Sequence, residues 1–203
     1  MKIYETAVTP SCRRVGIFLN ELGIDVERVA INVREGDNLA PEYAGKSING
    51  KVPLLELDDG TTICESVAIC RYFDQITDND AALFGRDAKE QALVEMWHRV
   101  TEFQGLYAAF QAFRNISGIY KDRERCVEQW GQESKQRVEE FLPVLDKRLA
   151  ASRYVACERF TIVDITAFIF VGFCSKALNI EVLDQYPNIA EWFGRISQRA
   201  AFQ

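Results

Sequence analysis

The stretch from Gly50 to Ser66, Gly-Lys-Val-Pro-Leu-Leu-Glu-Leu-Asp-Asp-Gly-Thr-Thr-Ile-Cys-Glu-Ser, constrains the fold of this chain more than any other. Leu55, Leu57 and Ile63 alternate as strands with one buried face do, and Asp59-Gly60 between them suits a two-residue hairpin turn with positive φ. Val67, Ile69, Cys70, Tyr72 and Phe73 then carry an apolar helical pattern. Glu65-Ser66 therefore stands at a helix start, with Ser66 as the expected N-cap. A helix start presents free N–H groups and a partial positive charge, so an anion is well held there. The stretch predicts a small-molecule carboxylate site.

Upstream, residues 2–5 alternate as a short strand. Val15, Phe18, Leu19 and Leu22 mark an amphipathic helix that opens at the turn Thr9-Pro10-Ser11-Cys12 and ends at Gly23, and Val26 to Val33 alternates again. Strand, helix, strand implies a right-handed crossover between parallel strands. Residues 34–49 are polar, a loop with one short helix. With the hairpin and a helix over 66–75 the first part becomes one βαβ–ββα unit. Residues 77–86 read as a linker. Beyond it no strand pattern occurs: Leu93, Met96, Trp97, Val100, Phe103, Tyr107 and Phe110 form one helical stripe. Val127, Trp130, Val138, Phe141, Leu142, Leu145 and Leu149 form another, which Pro143 should kink or shorten. Thr161 to Asp164 is a capping box, with Phe160 and Ile165 as its hydrophobic staple. The following segment, Ile165 to Phe173, is apolar almost all round and should be central to its domain. A last amphipathic helix starts at Pro187. The expected fold class is an α/β domain over 1–76, a linker over 77–86 and an all-α domain over 87–203.

Composition removes several function classes. A net charge of −6 without long like-charged blocks argues against a nucleic-acid partner. Six cysteines without a CxxC, and His98 as the single histidine, argue against a zinc site; reduced thiols in apolar runs are expected, in keeping with a reducing cytosol. The first residues carry no signal-peptide apolar region, and no apolar run approaches the length of a membrane span, so no membrane partner is expected.

In a βαβ–ββα sheet the loops at Thr9–Cys12 and Lys51-Val52-Pro53 converge, and ligands of open α/β sheets gather at such ends. Together with Glu65-Ser66 they offer a cation, a backbone edge, a carboxylate, hydroxyls and two helix N-termini. That set suits a zwitterionic peptide with several carboxylates. It does not suit a nucleotide, because a glycine-rich phosphate loop is missing.

The order Thr9-Pro-Ser-Cys12-Arg13-Arg-Val15, Lys51-Val-Pro53, Glu65-Ser66 and then an all-α half resembles the cytosolic glutathione S-transferase family over essentially the whole chain. The Thr161–Asp164 box matches a feature of that family's second domain, and Trp97-His98-Arg99 resembles bacterial members. The resemblance implies a thioredoxin-like glutathione-binding domain followed by a helical domain that contributes the electrophile site. Pro53 would be cis, exposing the Val52 backbone to the cysteinyl unit of glutathione as an added strand. Glu65 and Ser66 would hold the γ-glutamyl ammonium and carboxylate, the alternative being a plain helix cap. Lys51 would face the glycyl carboxylate, the alternative being an ordinary exposed lysine.

The catalytic position has three candidates. Thr9 stands where serine-type transferases carry their serine, Ser11 lies two residues on, and Cys12 is what remains of a Cys-Pro-x-Cys pattern whose first cysteine is absent. Arg13 either adds positive potential near the sulfur or is a solvated helix residue, and His98 is expected to be structural. A free thiol with a pKa of about 8.5 is a few per cent ionised at neutral pH. Lowering it by roughly 2 units takes about 2.7 kcal/mol. One charge-assisted hydrogen bond (about 1.5–3 kcal/mol) with a helix N-terminus (about 0.3–1 kcal/mol) is sufficient, without metal or general base.

The implied function is attack of the glutathione thiolate on a small hydrophobic electrophile in the cleft between the domains, with Phe103, Tyr107, Phe110 and also Phe113 available for that second site. Glutathione is then a cosubstrate and no cofactor is needed. The family implies a cytoplasmic detoxification enzyme and a homodimer, for which Tyr72 and Phe73 are candidate contacts. Two rivals remain at this point: a glutathione-dependent peroxidase or disulfide reductase, and a non-catalytic interaction module.

Overall fold

The computed structural model describes residues 1–203. β1 (Lys2–Glu5) sits between β2 (Glu27–Ala30), which it pairs in parallel, and β3 (Leu54–Glu56), which it pairs antiparallel. β4 (Thr62–Cys64) pairs antiparallel with β3 and completes the order β2-β1-β3-β4. α1 (Pro10–Leu22) makes the crossover from β1 to β2. Pro10 occupies the first turn, where a missing N–H costs nothing, and Gly23 ends the helix in the left-handed conformation at φ 66°. α2 (Pro41–Ala44) lies in the polar loop, and α3 (Ser66–Ile76) packs on α1. Ile3, Val15, Phe18, Leu19, Leu54, Leu55, Ile69 and Phe73 form the buried core of this unit.

Two local expectations change. The hairpin loop has three residues, 58–60: Leu57 N–H donates to Thr61 O (2.8 Å) and Gly60 N–H to Leu57 O (3.0 Å). Gly60 alone takes positive φ, at 85°. A type I turn closed by one left-handed glycine suits the Asp58-Asp59-Gly60 run, because both aspartates keep ordinary φ. At the start of α3 the cap is Glu65, at φ 67°, and Ser66 is the first helical residue. Its hydroxyl is thereby released from capping.

The chain divides into two compact units, Met1–Ala82 and Leu83–Gln203, so the expected linker is shared between them. In the second unit α4 (Ala88–Val100), a π-helical turn (Thr101–Tyr107) and α5 (Ala108–Ser117) run on without a break. α6 (Glu128–Ala151) continues through Pro143 as one helix of 24 residues. Pro143 and Glu139, whose carbonyl loses its partner, are both exposed, so water can satisfy the freed group. α7 (Ile162–Ala177) is buried along most of its length, and α8 (Val182–Gln185) and α9 (Pro187–Ser197) complete the unit.

The capping box forms as expected: Thr161 N–H donates to Asp164 Oδ2 (2.9 Å) and Val163 N–H to Thr161 Oγ1 (3.3 Å). Asp164 Oδ1 also accepts from Val155 N–H (3.0 Å) and Trp192 Nε1–H (3.1 Å), so one carboxyl ties the preceding loop and α9 to the start of α7. Burial pushes that carboxyl up to about 6 despite these bonds.

Candidate functional site

The edge at Lys51-Val52-Pro53 is held by its own neighbours. The Val52–Pro53 bond is cis, as expected. Buried Tyr43 donates its hydroxyl to Lys51 O (2.7 Å), Asn38 Nδ2 donates to Gly50 O (2.7 Å), and Lys51 N–H donates to Asn49 Oδ1 (3.1 Å). The segment carrying Tyr43 is latched to the sheet in turn. Lys46 Nζ donates to Glu56 Oε2 (2.6 Å) and to the Tyr4 hydroxyl (2.9 Å), and Tyr4 donates to Glu56 Oε2 (2.7 Å). The Glu56 carboxylate, followed by Tyr4, raises the Lys46 ammonium above the usual lysine range.

Glu65 takes a left-handed φ that non-glycine residues seldom adopt. Its Oε1 accepts from Asn49 Nδ2 (3.0 Å). One carboxamide thus spans from the Lys51 main chain to the Glu65 carboxylate and joins the two halves of the expected site. Ser66 is buried, and its Oγ accepts from Arg14 Nη1 (2.9 Å). The Lys51 residue is exposed.

At the start of α1, Thr9 is the N-cap residue and its hydroxyl donates to Thr6 O (2.8 Å). Ser11, in the first turn, is half-buried, and its hydroxyl has no partner within the chain. Cys12 is only 1% exposed, and burial pushes its thiol up to about 11; it packs into the core as a neutral group. Arg13 is exposed, whereas Arg14 is 3% exposed. His98 is buried with Nε2 2.9 Å from Thr166 Oγ1, a structural pairing.

In the helical unit the candidate aromatic residues part company. Phe103 and Tyr107, 59% and 54% exposed, line a pocket of about 320 Å³ with Gln104, Gln111, Trp130 and Arg137. Phe110 and Phe113 instead meet Phe173 edge-on, with ring centroids 5.1 and 5.5 Å away. Phe73 is buried in the core of the first unit and is thus unavailable to a partner, while Tyr72 is half-buried against it. All six cysteines are unpaired. No group of three or more His, Cys, Asp or Glu residues is placed to hold a metal ion, and no helix is long and apolar enough to cross a membrane.

The family model "Glutathione S-transferase, N-terminal domain" matches residues 3–81, and "Glutathione S-transferase, C-terminal domain" matches residues 106–200. A solved glutathione S-transferase of class Gtt2 from Vibrio parahaemolyticus is 64% identical, with a TM-score of 0.90 over 100% of this chain and 96% of that one. The chain belongs to the glutathione S-transferase family. A glutathione S-transferase domain-containing protein from Marinobacter aquaeolei is 30% identical, with a TM-score of 0.95 over the full length of both chains. Glutathione S-transferase 2 of Saccharomyces cerevisiae is 29% identical over 98% of this chain and 86% of its own length.

For this transferase, three residues at the site escape a reading of motifs. Asn49 and Tyr43 act through bonds to main chain that no residue pattern announces. Arg14 had a signal: it lies four residues before Phe18, on the buried stripe of α1, while Arg13 falls off that stripe.

Proposed function

We propose that this glutathione S-transferase binds glutathione along Lys51–Ser66 and stabilises its thiolate at the start of α1, with Ser11 as the hydrogen-bond donor. The observation that carries the reading is the Asn49 bridge, which brings the Lys51–Pro53 edge and Glu65 into one site. The Val52 backbone pairs with the cysteinyl unit, Glu65 takes the γ-glutamyl ammonium, Ser66 its carboxylate, and Lys51 the glycyl carboxylate. Thr9 ranks second as donor, because its single hydroxyl hydrogen already serves Thr6 O. With an aryl halide the thiolate sulfur forms the new C–S bond and halide leaves with the electron pair of the broken C–X bond.

The electrophile is assigned to the aromatic face of Phe110, Phe113 and Phe173. Its three rings pack on one another, whereas the pocket beside Phe103 and Tyr107 also presents Gln104, Gln111, Arg137 and Glu140. A cytoplasmic homodimer is proposed from family membership, and sedimentation of the purified chain checks the dimer.

Calorimetry with glutathione, followed by conjugation of an aryl halide, tests the core of this reading. Saturable binding with turnover supports it. Binding with turnover of hydroperoxides or disulfides alone replaces transfer by redox chemistry, and no binding removes the site. Phe110→Ala should raise the KM for the electrophile more than Phe103→Ala; the reverse order would move the second substrate to the pocket.

A further inference from the structure

We propose that Arg14 is a positioning residue for the γ-glutamyl carboxylate, acting through the Ser66 hydroxyl; this rests on the reading of the site given above. A guanidinium carries donors only, so in the 2.9 Å contact between Arg14 Nη1 and Ser66 Oγ the serine oxygen is the acceptor. The hydroxyl hydrogen is therefore directed away from Arg14, and it meets no acceptor in the chain. Ser66 is also the first residue of an 11-residue helix, whose opening N–H groups are unused by helical bonding.

A carboxylate reaching this helix start meets a hydroxyl already oriented to donate, main-chain donors, and a cation one hydrogen bond behind. Arg14 is 3% exposed, so its charge acts at a lower effective dielectric than a surface arginine does. Burying a guanidinium is costly, and a ligand carboxylate placed beyond Ser66 offsets part of that cost on binding. The result is selectivity: the site recognises the α-carboxylate of the γ-glutamyl unit as well as its ammonium.

The test compares glutathione with γ-aminobutyryl-cysteinyl-glycine, which keeps the ammonium, thiol and glycyl carboxylate but lacks that α-carboxylate. Calorimetric affinities for both are measured on the wild-type chain and on Arg14→Met, Arg14→Gln, Ser66→Ala and the Arg14→Met/Ser66→Ala pair. The wild type should prefer glutathione by about tenfold or more, in line with a charge-assisted hydrogen bond. Both Arg14 variants should lose most of that preference chiefly by weaker glutathione binding, with the analogue little affected. The double variant should lose no more than Ser66→Ala alone, as expected of two residues acting in series.

A preference retained in folded Arg14→Met or Arg14→Gln overturns the proposal. So does failure of both to fold, which would make Arg14 part of the core. Wild type that binds neither peptide refutes the reading of the site itself; wild type that binds both equally leaves glutathione binding in place and refutes recognition of the α-carboxylate by Ser66 and Arg14.

Discussion

A hydroxyl has one hydrogen to donate, and the two hydroxyls beside the start of α1 use theirs differently. Thr9 spends its hydrogen on Thr6 O, while Ser11 keeps its own. Ser11→Ala should therefore raise the pKa of enzyme-bound glutathione by about 1–2 units, the share that one hydrogen bond to a charged group supplies. Ultraviolet titration of the thiolate reads this directly. Thr9→Ala should leave that pKa in place and cost about 1 kcal/mol of stability through its lost bond. A thiol that keeps its wild-type pKa in Ser11→Ala but loses it in Thr9→Ala would exchange the two roles. Asn49→Ala should weaken glutathione binding about tenfold, because it frees both Lys51 N–H and Glu65; unchanged affinity would show that the two halves are held by other means. Residue order favours Thr9, which stands in the serine's place of the family motif; the preference for Ser11 appears only when the partners of each hydroxyl are known.

Among the elements, α7 starts at a carboxyl group placed where water cannot reach it. Folding raises the Asp164 carboxyl from its usual value near 4 to about 6, so the folded state favours the protonated form. Its contribution to stability is fully present below about pH 4 and is lost as pH rises through about 6, a change of at most about 3 kcal/mol. Asp164→Asn lacks this term, so its deficit against wild type, measured by urea unfolding, should shrink between pH 4 and pH 7; a constant deficit would remove the titration. The capping box itself was legible because Thr161 and Asp164 are three residues apart on one helix start. The bonds from Val155 and Trp192 were not, since Trp192 lies 28 residues away. α5 and α6 pack through Gly131, where an added Cβ would stand 2.8 Å from Ile116 Cγ1 and 3.0 Å from Ile116 N. Gly131→Ala should cost about 1–3 kcal/mol by overpacking, seen as a lower unfolding temperature. The π-helical turn was equally hidden: stripe periodicity assumes one pitch, and at Gly105 the close approach of Phe141, 3.0 Å from an added Cβ, depends on a helix 36 residues further along.

For the molecule as a whole, ligand binding and folding are linked. Glutathione at about 100 times its Kd adds about 2.7 kcal/mol to the unit that binds it. For a chain of this size that raises the unfolding temperature by roughly 5–10 °C. Calorimetry should show the shift in the transition that contains residues 1–82, and a transition indifferent to glutathione would reject the site. The sequence by itself determined the two-part architecture and the βαβ–ββα order. Each of these follows from local spacing: period 2 in the strands, period 3.6 in the helices, and a few residues at turns and helix starts. Only the tertiary structure decided which donors are spent and which remain. Thr9 bonds back to Thr6, Cys12 turns inward, and Arg14 meets Ser66 across 52 residues of chain. The bond between Arg14 and Ser66 depends on how α1 and α3 pack, and packing is not encoded in the spacing of either helix alone.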